Sequence, residues 1–306
     1  MERPVVTVEI DNSLVAALQH HLGSKTVDLK GLLKEFHNLF LKQVSQRRRQ
    51  VHVSEELTRH NLFKNEKQQV VEQIVATLEN GGPLTPYLSE KSEQLQHFDS
   101  SLAHFGVHHF HLGEKTQHSG VRAGQVKGTK SLLFVRITES DAYLLDILNH
   151  DMKRGFLNMH LLRVMYRNWP ESIEPFRLKG AIGVAVKYSD EEAAELLEND
   201  VNVIVELGEE QVYMLPGMGT TTAGTPLLME RRVDHTVREF RRIACMVEHN
   251  PNAVSALIKQ LTGVGHNIIR LKGRVRAGLL DIYDSTSGCV FTTEREDLVV
   301  SMPDEF

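Results

Sequence analysis

Two runs, "SLLFVRI" (131–137) and "AYLLDILNH" (142–150), are apolar at successive positions and are separated by the turn-forming "TESD". Alternate side chains of a strand face opposite sides, so such runs fit central strands that are covered on both faces. Just upstream, "VHHFHL" (107–112) reads as a third strand. Downstream, "FLNMHLLRVMYRNWPESI" reads as a helix with Leu157, Leu161, Leu162 and Met165 inward, ended by Pro170. A β-β-β-α set of this kind defines an α+β unit. A chain of 306 residues has room for about two domains, or three small ones. The expected organisation is a mainly helical N-terminal region (1–95), a histidine-rich α+β domain (96–180) and a C-terminal α/β domain (181–306). The middle domain is expected to be a central antiparallel sheet with a packed helix.

The flanks support this division. "VDLKGLLKEFHNLFLKQV" (27–44) and "FKNEKQQVVEQIVATLENGG" (63–82) are amphipathic at helical spacing, and Gly81-Gly82-Pro83 is a stop signal. "VVTVEI" (5–10) alternates as a strand does. After residue 180, "AIGVAVKY" (181–188) reads as a strand and "SDEEAAELLEND" as a helix capped by Ser189. Further strands are expected at "VNVIVEL", "QVYMLPG", "HNIIRLKGRV", "GLLDIYD" and "GCVFTTE", with two helices before the last three.

No run of about 18 apolar residues occurs, so no transmembrane helix is expected. "MERPVVTVEIDNS" lacks the basic stretch and apolar core of a secretory signal. Cys245 and Cys289 form neither a disulfide framework nor a zinc-ribbon spacing, and a reducing cytoplasm fits best. The net charge of −5 is unevenly spread, at −1 over 1–100, +4 over 101–180 and −8 over 181–306. The histidine-rich middle is therefore the net-basic third, which favours a polyanionic ligand.

Five of the sixteen histidines lie in "HFGVHHFHLGEKTQHSG" (104–120), with His97 just before. On a strand, Val107, His109 and His111 share one face, while His108, Phe110 and Leu112 share the other, which Phe110 and Leu112 mark as core. His109 and His111 then project side by side. Three readings stand for the pair. It could supply two zinc ligands, with His118 or His150 as the third. One imidazole could act as general base and the other as general acid, as metal-independent RNA cleavage requires. Or both are surface histidines of a half-exposed strand. Zinc lacks a nearby cysteine and any H-E-x-x-H, so the expectation is no cofactor, with zinc as the lesser alternative. The phosphate-binding candidates are better placed: Arg122, Lys127 and Lys130 in the Gly/Lys-rich loop, Arg136 on the next strand, and His150 at the end of the third.

The order "VHHFHLG … SLLFVRIT … AYLLDILNH", within residues 104–152, resembles the sheet core of RelE/ParE-like toxins of the barnase–EndoU–colicin–RelE ribonuclease group. That resemblance implies metal-independent RNA cleavage leaving a cyclic phosphate. It carries a catalytic set over to His109 or His111, Arg122, Arg136 and His150. "HFHLG", "LLF", His150 and "NWPE" (168–171) are also similar to a pattern in uncharacterised bacterial prophage or mobile-element proteins.

Three more stretches carry candidate chemistry. "QRRRQ" (46–50) is a phosphate contact or a solvated helix end. "LPGMGTTTAGTP" (215–226) could cradle an anion with backbone amides, or merely connect a strand to a helix. "NIIRLKGRVRAG" (267–278) sets Arg270, Lys272, Arg274 and Arg276 on one strand face. That face is a nucleic-acid track or an edge strand protected by charge, with Asp281 and Asp284 able to neutralise it. The leading expectation is a ribonuclease-like toxin or defence protein that acts on RNA and has a possible protein inhibitor. The alternatives are a non-catalytic nucleic-acid-binding or regulatory protein and a zinc-dependent hydrolase.

Overall fold

The computed structural model describes residues 3–114, 124–149, 155–208, 211–294 and 297–302. The chain is α+β. Its first part runs β1 (Val5–Val8), α1 (Ile10–Leu22), α2 (Leu29–Lys42), β2 (Gln50–Val53), α3 (Glu55–Arg59) and α4 (Gln68–Asn80). Next come α5 (Ser100–Phe105), β3 (Val107–His111), β4 (Ser131–Ile137), β5 (Asp141–Asn149) and α6 (His160–Asn168). The last part is α7 (Asp190–Glu198), β6 (Ile204–Gly208), β7 (Gln211–Met214), α8 (Leu227–His249), α9 (Pro251–Thr262), β8 (Ile268–Arg276), β9 (Leu279–Asp284), β10 (Val290–Glu294) and β11 (Asp297–Ser301).

These elements form two compact units, residues 38–229 and residues 1–37 with 230–306. The boundaries expected at 95 and 180 are not those of the units. The reason is a long-range pairing: β1 lies parallel to β8, with Val5 opposite Ile268 and Val8 opposite Leu271, so the first and last segments share one sheet.

The 38–229 unit is built on a four-stranded sheet of order β2-β5-β4-β3. The three expected strands are antiparallel to one another. The sheet as a whole is mixed rather than antiparallel, because β2 adds to β5 in parallel. β2 is four residues long, too short to carry an alternation signal. The two-sided burial expected of β4 holds. Leu132 and Phe134 join Tyr143 and Leu145 on one face, under Leu161, Leu162 and Met165 of α6. Leu133 and Val135 join Leu144 and Ile147 on the other, under Val70, Val71, Ile74 and Leu78 of α4. Each such buried aliphatic side chain contributes about 1.5–3 kcal/mol. Ser189 forms the expected capping box with Glu192. Residues 181–188, expected as a strand, form none; Ile182 and Val186 are exposed, and no neighbouring strand pairs with them.

The other unit holds a five-stranded sheet of order β1-β8-β9-β10-β11. Ile269, Leu271, Ile282 and Phe291 bury one face of it under Ile10 of α1, Ile243 and Val247 of α8, and Val254 and Ile258 of α9. Gly273 interrupts β8 where α1 approaches closely: a Cβ there would lie 3.1 Å from the Leu14 Cβ. Among the described residues no helix is long and apolar enough to cross a membrane.

Candidate active site

A cleft of about 300 Å³ in the 38–229 unit is lined by His97, Asp99, His108, His109, His111, Lys42, Lys91 and Phe156, among others. Its construction begins with a ten-residue reversal. Asp99 caps α5, accepting the Leu102 N–H at 3.0 Å. Seven residues later Gly106, at φ 64°, ends that helix and turns the chain into β3. The reversal returns β3 alongside Asp99, so that Asp99 Oδ2 lies 3.3 Å from His109 Nδ1. Ser101 Oγ donates to the other carboxylate oxygen at 2.8 Å. Burial opposes ionisation of Asp99, but His109, the Leu102 N–H and the Ser101 hydroxyl together outweigh it and hold the carboxyl below the usual range. Nδ1 of His109 also lies 3.4 Å from the Ser101 hydroxyl, so Asp99 and Ser101 both face it, and a ring hydrogen on Nδ1 would leave Nε2 as a lone-pair base. The ring also packs on Phe156, centroids 4.9 Å apart.

His111 is held the opposite way. The Thr129 N–H donates to its Nδ1 at 3.0 Å, so the ring hydrogen sits on Nε2. The same threonine accepts the Leu112 N–H with Oγ1 at 2.9 Å and donates to Ser131 O, folding its loop back on the strand end. Gly113 permits this approach, since a Cβ there would collide with the Lys127 backbone. The exposed Lys127 and Lys130 are thereby carried on the loop that touches His111. His109 and His111 are two residues apart on one strand, a separation of about 6.7 Å between their Cα atoms.

The cleft rim is fixed from α2. Lys42 Nζ donates to the carbonyls of Gln94 (2.5 Å) and His97 (2.9 Å), and Asn38 Nδ2 donates to those of Leu95 (2.7 Å) and His97 (3.0 Å). Burial pushes the Lys42 ammonium down to about 8, against the pull of Asp99. His97 is also lowered, first by burial and then by Lys91 and Lys42. On the opposite face of β3, His108 donates Nε2–H to the Leu41 carbonyl at 3.2 Å, and burial lowers it to about 4.

Of the sequence candidates, His109 and His111 meet on the cleft, with Lys127 and Lys130 on the adjoining loop. Arg122 and His150 lie outside the described residues, as does His118. Arg136 is elsewhere: it is buried, lies over the Phe176 ring at 5.3 Å, and donates Nη2–H to Ser172 O at 3.3 Å. It closes the core at the far end of β4, and does not face the cleft. Arg49 is likewise buried, donating to the carbonyls of Thr138 (2.9 Å), Ser45 (2.9 Å) and Arg47 (3.0 Å), so it is neither a solvated helix end nor a phosphate contact.

The Gly/Thr loop is not an anion cradle, because its amides are engaged. Gly217 N–H donates to His104 O (2.9 Å), Gly219 N–H to Ala103 O (2.8 Å), Thr220 N–H to Asn202 Oδ1 (2.9 Å) and Thr221 N–H to Thr225 O (2.8 Å). The loop instead satisfies the C-terminal carbonyls of α5. Asp99 and Thr129, the residues that set the two imidazoles, carried one advance signal: aspartate before "SSLAHFG" is a helix cap with a matching glycine stop.

Among the described residues no three His, Cys, Asp or Glu side chains converge as a metal site. Two of the residues considered as third ligand, His118 and His150, are outside the described set. Comparison with known proteins finds no match among family models, curated proteins or solved structures.

His104, on α5, is 3% exposed, and burial lowers its pKa from 6.5 to about 4. Near pH 7 the ring is neutral and its burial adds almost no pH-dependent cost, although its Nδ1 is buried without a hydrogen-bond partner. As pH falls below 6.5 the unfolded chain takes up a proton that the folded chain refuses until about pH 4, so stability is lost across that window. At pH 5 the loss attributable to this group is on the order of 2 kcal/mol. Urea unfolding at pH 7 and pH 5 should therefore show a smaller acid loss in His104→Leu than in the wild type.

Proposed function

We propose that the cleft cleaves RNA without a metal, with His109 as general base and His111 as a neutral hydrogen-bond donor. The observation that carries this reading is the opposite fixing of the two rings, His109 Nδ1 beside Asp99 and His111 Nδ1 on the Thr129 N–H. His109 Nε2 takes the proton of the ribose 2′-hydroxyl as that oxygen attacks the adjacent phosphorus. His111 Nε2–H donates to a phosphoryl oxygen as charge gathers there. The 5′-oxygen leaves, takes a proton from solvent, and a 2′,3′-cyclic phosphate remains. Lys127 and Lys130 add positive charge on the loop beside His111.

This assignment departs from a two-histidine acid–base pair in one respect. Because Nδ1 of His111 accepts the Thr129 N–H, this reading gives His111 the part of a hydrogen-bond donor rather than that of a general acid. The expected pH–rate profile is accordingly a single rising limb, not a bell. The test incubates mixed RNA with wild type, His109→Ala and His111→Ala, with and without EDTA, after circular dichroism has established that all three fold. EDTA-resistant cleavage that disappears in His109→Ala, with a cyclic phosphate end, supports the reading. Cleavage that survives in both variants, or none in the wild type, removes it.

A further inference from the structure

We propose that the cleft takes up one unpaired nucleotide of RNA and that the His97 imidazole anchors its base. The proposal rests on the reading of the cleft as an RNA site and adds the substrate class.

His97 is held by its backbone and not by its ring. Lys42 Nζ and Asn38 Nδ2 both donate to its carbonyl, at 2.9 and 3.0 Å, and each of those side chains belongs to a residue only 3% exposed. The His97 N–H in turn donates to Gln94 O at 3.3 Å. Two buried polar side chains of α2 thus fix the place of one residue on the rim, as a site residue requires. Its imidazole, by contrast, has no hydrogen bond or ion pair among the described residues. The ring lies within electrostatic reach of Lys91, Lys42, Asp99 and His109, which line the same cleft, so it is on the cleft side.

Burial, Lys91 and Lys42 keep this ring neutral at pH 7. A neutral imidazole offers one donor and one acceptor nitrogen. Nδ1 of His109 and of His111 already faces Asp99 with Ser101, and the Thr129 N–H. Asp99 is turned to other partners than His97: Oδ1 takes the Leu102 N–H and the Ser101 hydroxyl, and Oδ2 faces His109. His97 therefore keeps both tautomers open, and meets the edge of a base with whichever nitrogen that edge requires.

The walls suit a base as well. Leu88, Phe98, Leu102, Leu132 and Phe156 give the cleft its apolar lining. A base has apolar faces and a polar edge, so its faces go to these side chains and its edge to His97. At about 300 Å³ the cleft has room for one base with its sugar, and not for a base pair. A nucleotide that is already unpaired enters such a pocket at least cost. The other unit has no rival track on β8. That strand is internal, Lys272 pairs with Glu9, Asp281 answers Arg274 and Arg276, and Glu294 and Asp297 share the face.

Calorimetric titration of the full chain with uridine 3′-monophosphate, adenosine 3′-monophosphate and inorganic phosphate tests this without turnover. His97→Ala is expected to weaken both nucleotides about tenfold and to leave phosphate binding unchanged. His97→Gln, which keeps a donor and an acceptor, should recover part of the loss. Both variants should melt with the wild type, because the carbonyl held by Lys42 and Asn38 is retained. In cleavage of single-stranded RNA, His97→Ala should raise KM about tenfold and leave kcat within about twofold. Equal nucleotide binding by wild type and His97→Ala would overturn the proposal. So would phosphate binding as tightly as the nucleotides, no binding of either nucleotide by the wild type, or duplex RNA cut as fast as the single strand. Nucleotide binding that is lost in His97→Ala, in a protein that cleaves no RNA, would remove the proposed chemistry and leave the base site standing.

Discussion

Asp99→Asn is expected to lower RNA cleavage by about 10²–10⁴-fold while leaving the fold intact. Asparagine caps a helix as well as aspartate does, and its Oδ1 can still accept the Leu102 N–H and the Ser101 hydroxyl. Its amide NH2, however, would face His109 Nδ1 where the carboxylate lay 3.3 Å away. A donor there turns the imidazole into the other tautomer, placing a hydrogen on Nε2 where the base must be. The expected signature is a collapse of kcat with little change in KM, and an unchanged melting temperature. Wild-type kcat in a folded Asp99→Asn protein would show that His109 is not the base.

Gly217→Ala is expected to destabilise the 38–229 unit by about 3 kcal/mol or more. A Cβ at this position would run into the backbone oxygens of Leu102 and Ala103, and backbone cannot swing aside as a side chain can. The same contact carries the Gly217 N–H to His104 O, so relief by shifting the loop forfeits a hydrogen bond to the end of α5. Because α5 presents Asp99 at its other end, residual folded protein should also lose cleavage through His109. Gly128→Ala is the control: its added Cβ meets nothing nearer than His111 Cε1 at 3.8 Å, and its stability should stay within about 0.5 kcal/mol of wild type. Urea midpoints of the two variants test the contrast.

What could be read along the sequence was whatever depends on neighbours a few residues away. The double-sided apolar runs of β4 and β5, the face alternation of His109 and His111 and the Ser189 cap are all of that kind. What could not be read depends on remote partners. Residues 181–188 alternate as a strand should, yet the structure offers them no strand to pair with. Arg136 has the correct periodicity for the histidine face, but Phe176 and Ser172, about 40 residues further on, enclose it. The amides of the Gly/Thr loop are those of a credible anion site until α5 takes them. Asp99 and Thr129 lie ten and eighteen residues from their histidines, separations that no periodicity encodes.

The pairing of β1 with β8 sets a timetable for the nascent chain. At about 5–20 residues per second, roughly 13–50 s separate the emergence of Val8 from that of Leu271. Within that interval residues 38–229 emerge together with their own partners, while the first strand has not met β8. Folding therefore proceeds from the middle of the chain outwards. A chain cut short before residue 268 would carry a finished cleft on a protein with an unpaired, apolar leading segment, a product for chaperones and proteases to remove.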